Sequence, residues 1–400
     1  MTKIKNGTLK KTLFLLIIIE FMFLALEGSM RLISFVKSGK SGNMPRYDIT
    51  ICTGGGDRIS EKKAPIKLGL DPFTVYRHMP GQGTENFSIN NAGMRGVFPD
   101  TSAAETLAIV IGGSAAFGWS AEADTETFEY MLAGLDTGLA VLNAGIAGYL
   151  SGQELGLTVH SLIDYSPDII IAYDGWNDLF IQWFGRKRSP GRYGFSESYF
   201  DIEKKLVDNY KRESGIIWAS AGLIKAILDK SIIYKRIKTA VEASGIKKEN
   251  KRNLAGKDGS YFDAITAAYC SNIKKMDDIC RSRGIRFIVA LQPELGRKVF
   301  KTGAENKVYS EGMLKGKLYG EVFPGLYGVF TKKASAFMME NNIEHIDINA
   351  NPLITFSRED LFTDCVHTNA AGNAVIAGIL SLKIKEGSAT PAEKLPPGRP

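Results

Sequence analysis

The sequence predicts an α/β protein with a mainly parallel β-sheet, preceded by a helix that lies in a membrane. Between Leu107 and Arg192 short apolar runs alternate with helical patterns, and the alternation returns after Gly259. Strands of a parallel sheet are covered by helices on both faces, so they read as unbroken apolar runs. An apolar stretch near the amino terminus predicts the membrane helix.

The composition is that of a globular protein with one large domain. The 400 residues are 44% hydrophobic and 23% charged. The formal charge of +7 arises largely between Arg186 and Arg252, where basic residues outnumber acidic ones about two to one. That segment has no zinc-ligand spacing, no aromatic RNA-binding motif and no heptad repeat, which argues against the common nucleic-acid-binding classes.

The four cysteines predict neither a metal site nor a redox pair. Cys52, Cys270, Cys280 and Cys365 show no C-x-x-C spacing. Cys270 and Cys280 fall on one predicted helix, roughly 15 Å apart at the rise of an α-helix. That separation exceeds the roughly 7 Å that a disulfide spans, so the two are not expected to pair.

Residues 1–37 are interpreted as a cytoplasmic tip followed by a membrane anchor. Four lysines precede an apolar stretch from Thr12 to Val36, which two glutamates and an arginine interrupt. The alternative is a cleaved signal peptide whose apolar region is Leu13 to Leu26, but no A-x-A cleavage site follows. The positive flank predicts a single-pass protein of the inner membrane, with the main domain in the periplasm or outside the cell.

Residues 38–100 are rich in Gly, Pro and Asn and predict an irregular arm or a few edge strands. The main domain follows at 101–386. The predicted strands are Leu107–Ile111, Ala140–Leu142, Ile169–Tyr173, Arg286–Leu291 and Glu344–Ile348. The predicted helices are Gly152–Tyr165, Ser260–Arg283 and Ala370–Lys385.

Three segments depart from this pattern. The helical, basic segment 186–258 breaks the alternation and is treated as an insertion; its apolar residues from Ile217 to Ile232 predict either a cap helix on the core or an amphipathic element on anionic lipid. Residues 301–324 are expected to be irregular and to form a lid. The proline-rich tail, 387–400, is expected to be disordered.

Ser114 is the candidate nucleophile. It follows the first predicted strand after two glycines, Gly112 and Gly113. The glycines permit a tight turn, and the helix that follows directs its first N–H groups, that of Ser114 included, to the same place. A plain turn or a phosphate-binding loop is the alternative, but the segment lacks both nucleotide-binding fingerprints.

Asp364 and His367 are the candidate acid and base. They lie three residues apart, just before the last predicted helix. On one turn this spacing lets the carboxylate and the imidazole face the same way, so that Asp364 holds His367 in the tautomer of a general base. An ordinary surface turn is the alternative.

Asn177 and Gly148 are candidate donors to an oxyanion. Each follows a predicted strand and is therefore expected at the same sheet edge as Ser114. The Asn177 amide and the backbone N–H of Gly148 would complete an oxyanion hole with Ser114. In the alternative interpretation Asn177 and Gly148 are ordinary loop residues, and Asp178 caps a helix.

These segments, in this order, resemble the blocks of the SGNH, or GDSL-type, hydrolase family. Gly112-Gly113-Ser114 looks like the first block, Gly148 and Asn177 match the second and third, and Asp364 with His367 matches the fifth. The segment 90–96 looks like the arm of membrane-anchored bacterial members. Gly113 departs from the pattern because the family usually has aspartate there.

The resemblance implies a flavodoxin-like three-layer α/β/α fold, no cofactor and no metal. It implies a serine esterase that hydrolyses a carboxylic ester, such as an O-acetyl group on a glycan or an acyl chain on a lipid, through an acyl-serine intermediate. Two alternatives remain. One is an O-acyltransferase that acts on an exported polysaccharide; the other is a non-catalytic glycan-binding module, which would need neither a base nor an oxyanion donor.

Overall fold

A computed structural model describes Met22 and residues 66–83, 86–99, 104–184, 259–314 and 317–388. The chain divides into two compact units, and every described residue except Met22 belongs to the unit formed by 48–206 and 255–400. Apart from Met22, the predicted anchor lies outside the described residues, as do the first part of the arm and the insertion at 186–258. No helix among the residues described is long and apolar enough to cross a membrane.

The described part of the arm forms two short antiparallel hairpins. The first pairs β1 (Leu68–Asp71) with β2 (Val75–His78), and the second pairs β3 (Gln82–Gly83) with β4 (Ser88–Ile89). The arm is fastened to the main domain through side chains. The Tyr76 hydroxyl donates to the Ala147 carbonyl at 2.8 Å, and the Gln153 amide donates to the Thr74 carbonyl at 2.8 Å.

Strands and helices then alternate along the main domain. In chain order the strands are β5 (Thr106–Gly112), β6 (Leu139–Asn143), β7 (Ile169–Asp174), β8 (Arg286–Leu291), β9 (Met313–Leu314), β10 (Lys317–Leu318) and β11 (His345–Asp347). The α-helices are α1 (Ser114–Phe117), α2 (Phe128–Gly134), α3 (Ser151–His160), α4 (Trp176–Phe184), α5 (Gly259–Ser282), α6 (Gly303–Glu311), α7 (Tyr319–Glu340), α8 (Pro352–Thr355) and α9 (Ala370–Ser388).

The central sheet has five strands in the order β11-β8-β7-β5-β6, and every neighbouring pair is parallel. Every residue of β7 and all but the first of β8 are buried, as expected for strands covered on both faces. Helices α2 and α9 contact each other, whereas α3, α4 and α7 each contact α5. The predicted three-layer α/β arrangement with a mainly parallel sheet is therefore confirmed, and its strand order is the flavodoxin-like one.

The segment 301–324, expected to be irregular, is instead mostly helical. It contains α6, the β9–β10 hairpin and the start of α7, within which Pro324 lies. The segment contains several glycines and Pro324, and both residue types disfavour helix interiors. Burial of the aromatic residues of α7 outweighs that preference, since Tyr319, Phe323, Tyr327 and Phe330 are at most 1% exposed.

The last helix extends beyond its predicted end, and the three described cysteines are buried. Helix α9 continues through Ser388, so the first two residues of the segment expected to be disordered are helical, and 389–400 lie outside the described residues. Cys270 and Cys280 lie together on α5 as buried free thiols, and Cys365 is also buried. Cys52 lies outside the described residues.

Candidate active site

Ser114 lies at the carboxyl end of β5, where the strand order of the sheet reverses. Gly112 has a φ of 151°, and a Cβ atom there would lie 2.2 Å from the carbonyl oxygen of Tyr173. Only glycine fits such a position, so the chain passes from β5 into α1 within two residues. Ser114 is the first residue of α1 and is 5% exposed. Open α/β sheets bind their ligands at this edge.

His367 joins Ser114 to Asp364 in one hydrogen-bonded chain. The His367 Nε2 atom lies 2.8 Å from the Ser114 Oγ atom, and its Nδ1 atom lies 2.6 Å from the Asp364 Oδ2 atom. With the proton on Nδ1, the imidazole donates to Asp364 and offers the Nε2 lone pair to the serine hydroxyl. The structure therefore brings together the three residues that the sequence singled out, from opposite ends of the domain.

The carboxylate of Asp364 also shapes the backbone that carries His367. Its Oδ1 atom accepts hydrogen bonds from the N–H groups of Val366 and His367, at 2.9 and 2.8 Å. This is a local Asx-type turn, which an aspartate favours. The Asp364 carboxylate therefore fixes both the backbone turn and the imidazole ring of His367. A spacing of three residues is enough to bring the carboxylate and the ring into contact.

Two hydroxyl groups that sequence reasoning missed join the segment after Ser114 to the loop that carries His367. The Ser120 Oγ atom lies 2.6 Å from the Thr363 Oγ1 atom, and Thr363 donates through both its N–H and its hydroxyl to the carbonyl of His367. Ser120 follows α1, whereas Thr363 precedes Asp364. No sequence pattern marks this contact, because the two residues lie 243 positions apart.

Asn177 lies against the backbone beside Ser114. It is 6% exposed on α4, and its Nδ2 atom donates to the carbonyl of Tyr149 at 2.9 Å. A Cβ atom added at Gly113 would lie 2.2 Å from the same Nδ2 atom. The amide of Asn177 thus occupies the space into which any side chain at position 113 would extend. The observed position of this amide therefore requires glycine at 113, where the pattern that the sequence resembles usually has aspartate.

Gly148 lies in the loop after β6, one residue before the carbonyl that holds Asn177. Its φ is 81°, and an added Cβ atom would lie 2.9 Å from the hydroxyl oxygen of Tyr76. Glycine is therefore required here by both conformation and space. The loop after β6, which carries Gly148, therefore reaches the same sheet edge as Asn177 and Ser114.

Three buried carboxyl groups lie close to one another near Asn177. We call Glu154, Asp174 and Asp178 the carboxylate cluster; all are at most 3% exposed. Asp178 accepts hydrogen bonds from the N–H and hydroxyl of Ser151, which begins α3, at 3.0 and 2.6 Å. Asp174 accepts from the hydroxyl of Tyr269 at 2.6 Å.

Burial raises the pKa of each member of the carboxylate cluster, because a charged carboxyl loses hydration there. Desolvation and then the neighbouring Asp174 raise the pKa of Asp178 from its ordinary value of 3.8 to about 7. Desolvation is also the main cause that raises the pKa of Glu154 and Asp174. The cluster therefore retains protons at a pH where exposed carboxyl groups are ionised.

The remaining histidines lie apart from this site. Burial lowers the pKa of His78 to about 4, His160 stacks on Phe73 with ring centroids 3.7 Å apart, and His345 contacts the carbonyl of Ile343. Within the described ranges no group of three His, Cys, Asp or Glu side chains is arranged to hold a metal ion.

The two tryptophans expected near the site differ in environment. Trp176 is fully buried and stacks on Phe180, with ring centroids 4.5 Å apart. Trp119, which follows α1, is only partly buried and lies beside Phe117. Trp176 is therefore a core residue, and Trp119 alone of the pair presents part of its surface near Ser114.

No known family model matches the chain, and no curated protein matches it. Its fold is similar to solved esterase structures at low identity. An acetylxylan esterase from Geobacillus stearothermophilus is 13% identical, with 71% of this chain and 96% of that chain covered and a TM-score of 0.39. A GDSL-like lipase from Bacteroides thetaiotaomicron is 13% identical, with 74% and 93% covered and a TM-score of 0.35. These values are too low to assign an activity.

Proposed function

We propose that this chain is a serine esterase of the SGNH, or GDSL-type, class. The observation that supports this most is the hydrogen-bonded chain from Ser114 through His367 to Asp364, with distances of 2.8 and 2.6 Å. These are the contacts that a nucleophile, a general base and an orienting acid require. Their position at the strand-order reversal of the sheet supports the same proposal.

In the first step Ser114 attacks the carbonyl carbon of an ester while His367 takes the hydroxyl proton through Nε2. Asp364 stabilises the imidazolium that forms and keeps its ring in place. His367 then gives the proton to the leaving alcohol, and an acyl-serine ester remains. Water, activated by the same imidazole, releases the carboxylic acid and restores Ser114.

The oxyanion of each tetrahedral intermediate is proposed to bind three N–H donors: the backbone groups of Ser114 and Gly148 and the amide of Asn177. The contact of Asn177 with the Tyr149 carbonyl uses one of its two amide hydrogens, and the other is assigned to the oxyanion. Donors held in place before the reaction stabilise developing charge at little cost in reorganisation.

The proposed substrate is a short acyl ester, such as an O-acetyl group on a glycan. Ser114 and His367 are 5% and 2% exposed, which leaves little room for a bulky acyl group. Two open depressions of the described surface, one along α5 and α7 and one on the arm, are not lined by either residue. An acyl lipid is the competing substrate.

The test is the turnover of p-nitrophenyl esters of graded chain length by the full chain and by Ser114→Ala. We expect acetate to be preferred and the variant to lose at least about 10³-fold in kcat. Equal turnover by the two proteins would reject Ser114 as the nucleophile. A preference for long chains would favour the acyl lipid, and acyl transfer to an added oligosaccharide would identify a transferase.

We also propose that residues 1–37 anchor the chain in the inner membrane, with the catalytic domain in the periplasm or outside the cell. The lysines before the apolar stretch support this orientation. Cell fractionation followed by protease treatment of spheroplasts provides the test. A chain found in the soluble fraction at reduced mass would support the cleaved signal peptide instead.

A further inference from the structure

A fully buried ion pair lies outside the proposed catalytic residues. Lys298, in the loop after β8, contacts Glu305 of α6, with the Nζ and Oε2 atoms 2.5 Å apart and both side chains 0% exposed. Lysine and glutamate are seldom fully buried, because the loss of hydration is costly unless several hydrogen bonds replace it. The contacts of this pair therefore indicate what it holds in place.

Glu305 accepts hydrogen bonds from several donors, two of which belong to the loop that carries His367. Its Oε1 atom accepts from the N–H groups of Leu361 and Phe362, at 2.9 and 3.2 Å. Its Oε2 atom accepts from Lys298 and from the N–H of Thr302, the N-cap of α6. Lys298 also donates to the carbonyl of Glu359.

We call residues 361–369 the base loop. Its two ends are joined by a bridge between Phe362 and Thr368 and by a hydrogen bond of 2.9 Å from the N–H of Asn369 to the carbonyl of Leu361. Between them lie Asp364 and His367. The amides bound by Glu305 therefore belong to the start of the base loop, two to three residues before Asp364.

We propose that Glu305, held in place by Lys298, is a positioning residue that sets the distance between His367 and Ser114. This rests on the proposed function, in which His367 is the general base. Leu361 and Phe362 are at most 2% exposed, so without Glu305 their amides are buried without an acceptor. The base loop then shifts, and the contact between His367 and Ser114 lengthens.

The experiment compares Glu305→Ala, Glu305→Gln and Glu344→Ala in the full chain. Glutamine retains one oxygen for the two amides but loses the charge that Lys298 binds. We expect kcat for p-nitrophenyl acetate to fall about 100-fold in Glu305→Ala and about tenfold in Glu305→Gln, with KM changed less than about twofold, because a small displacement of a reacting group has this effect.

Glu344 is the matched control because it pairs with Arg286 at 2.7 Å at the start of β8, the end of the sheet away from Ser114. Its alanine variant should lose stability but keep kcat. A second readout needs no substrate: the low-field proton resonance of the Nδ1–H bond from His367 to Asp364 should persist in Glu344→Ala and broaden or shift in the Glu305 variants.

A wild-type chain without esterase activity would contradict the proposed function, and the proton resonance would still report on the positioning role. An active wild type whose two Glu305 variants keep kcat within about twofold and the resonance unchanged would overturn the positioning role alone. If Glu305→Ala does not fold, Glu305→Gln decides between these outcomes.

Discussion

At the scale of single residues, the chemistry depends on which nitrogen of His367 carries the proton. Asp364 uses one oxygen for two backbone N–H groups and the other for Nδ1 of His367. The second contact requires a proton on Nδ1, which leaves Nε2 as an acceptor for Ser114. The tautomer of His367 is therefore set by one carboxylate oxygen.

Replacing Asp364 with asparagine separates the two roles of this carboxylate. The asparagine oxygen can keep the backbone contacts, but its amide N–H₂ faces Nδ1 and favours the tautomer with the proton on Nε2. We expect kcat to fall about 10³-fold or more while folding is largely kept. Steady-state kinetics and thermal melts check this, and a loss below tenfold would show that Asp364 does not set the tautomer.

Gly113 is the residue at which this chain departs from the GDSL pattern, and its environment gives a second prediction. In Gly113→Ala the added Cβ atom would lie 2.2 Å from the Asn177 Nδ2 atom and displace the amide. The backbone at Gly113 is extended, with a φ of −84°, so the effect comes from space and not from strain. We expect kcat to fall about 100-fold, as for the loss of one oxyanion donor.

Gly134→Ala is the matched control for that variant. Gly134 ends α2, and a Cβ atom there would contact nothing within 4 Å, so kcat and stability should be kept. If Gly113→Ala retains wild-type kcat, the proposed role of Asn177 as a donor is wrong.

At the scale of elements, the four-residue helix α1 is held by an arginine from the arm. Arg95 is 4% exposed and donates to the carbonyl groups of Phe117 and Gly118, at 2.9 and 2.6 Å, and to Asp124 at 2.8 Å. So short a helix does not form alone. The arm therefore supports the element that presents Ser114.

Arg95→Lys tests this support. A lysine carries one ammonium group where the guanidinium reaches several acceptors, so some carbonyls lose their donor. We expect a loss of about 2–3 kcal/mol in the free energy of unfolding and a fall of about tenfold in kcat. Urea unfolding measures the change in the free energy of unfolding, and steady-state kinetics measure the change in kcat.

The control is Arg281→Lys on α5, where the arginine side chain is 54% exposed and its partner Asp277 is 4% exposed. Lysine keeps a positive charge beside Asp277, so we expect a smaller change in the free energy of unfolding than for Arg95→Lys. Equal effects of the two substitutions would contradict a special role for Arg95.

The elements of the central sheet could be predicted because their signal is local. The apolar runs of β5, β7 and β8 were visible in the sequence, and their observed bounds extend the predicted ones by at most one residue at either end. The start of α7 within 301–324 was missed because its stability depends on tertiary burial, whereas α6 has a local capping box formed by Thr302 and Glu305. The aromatic residues of α7 stabilise a helix only where the rest of the core covers them.

At the scale of the whole molecule, the carboxylate cluster makes stability depend on pH. The pKa of Asp178 is about 7 in the folded chain, against an ordinary value of 3.8. Between these values the folded state keeps a proton that the unfolded state has released, so the free energy of unfolding falls as the pH rises through this window. Glu154 and Asp174 act in the same direction.

Asp178→Asn removes this contribution while keeping an oxygen for Ser151. We expect the free energy of unfolding of the wild type to fall between pH 4 and pH 7 by up to about 4 kcal/mol more than that of the variant, as three pKa units imply. Urea unfolding at fixed pH values measures the difference. Parallel pH profiles for the two proteins would show that Asp178 is ionised in the folded state.

The sequence by itself predicted the α/β class and the main strands along the chain, because apolar periodicity is a local signal. It singled out the residues that carry the proposed chemistry through the order of short motifs that resemble a known family: two glycines before a serine, and an aspartate three residues before a histidine. Tertiary structure alone decided that His367 lies 2.8 Å from Ser114, that Asn177 fills the space beside Gly113, and that Glu305 and Arg95 hold the two sides of the site. The physical reason is that such contacts join residues far apart in the chain, and their energy depends on burial that no local pattern encodes.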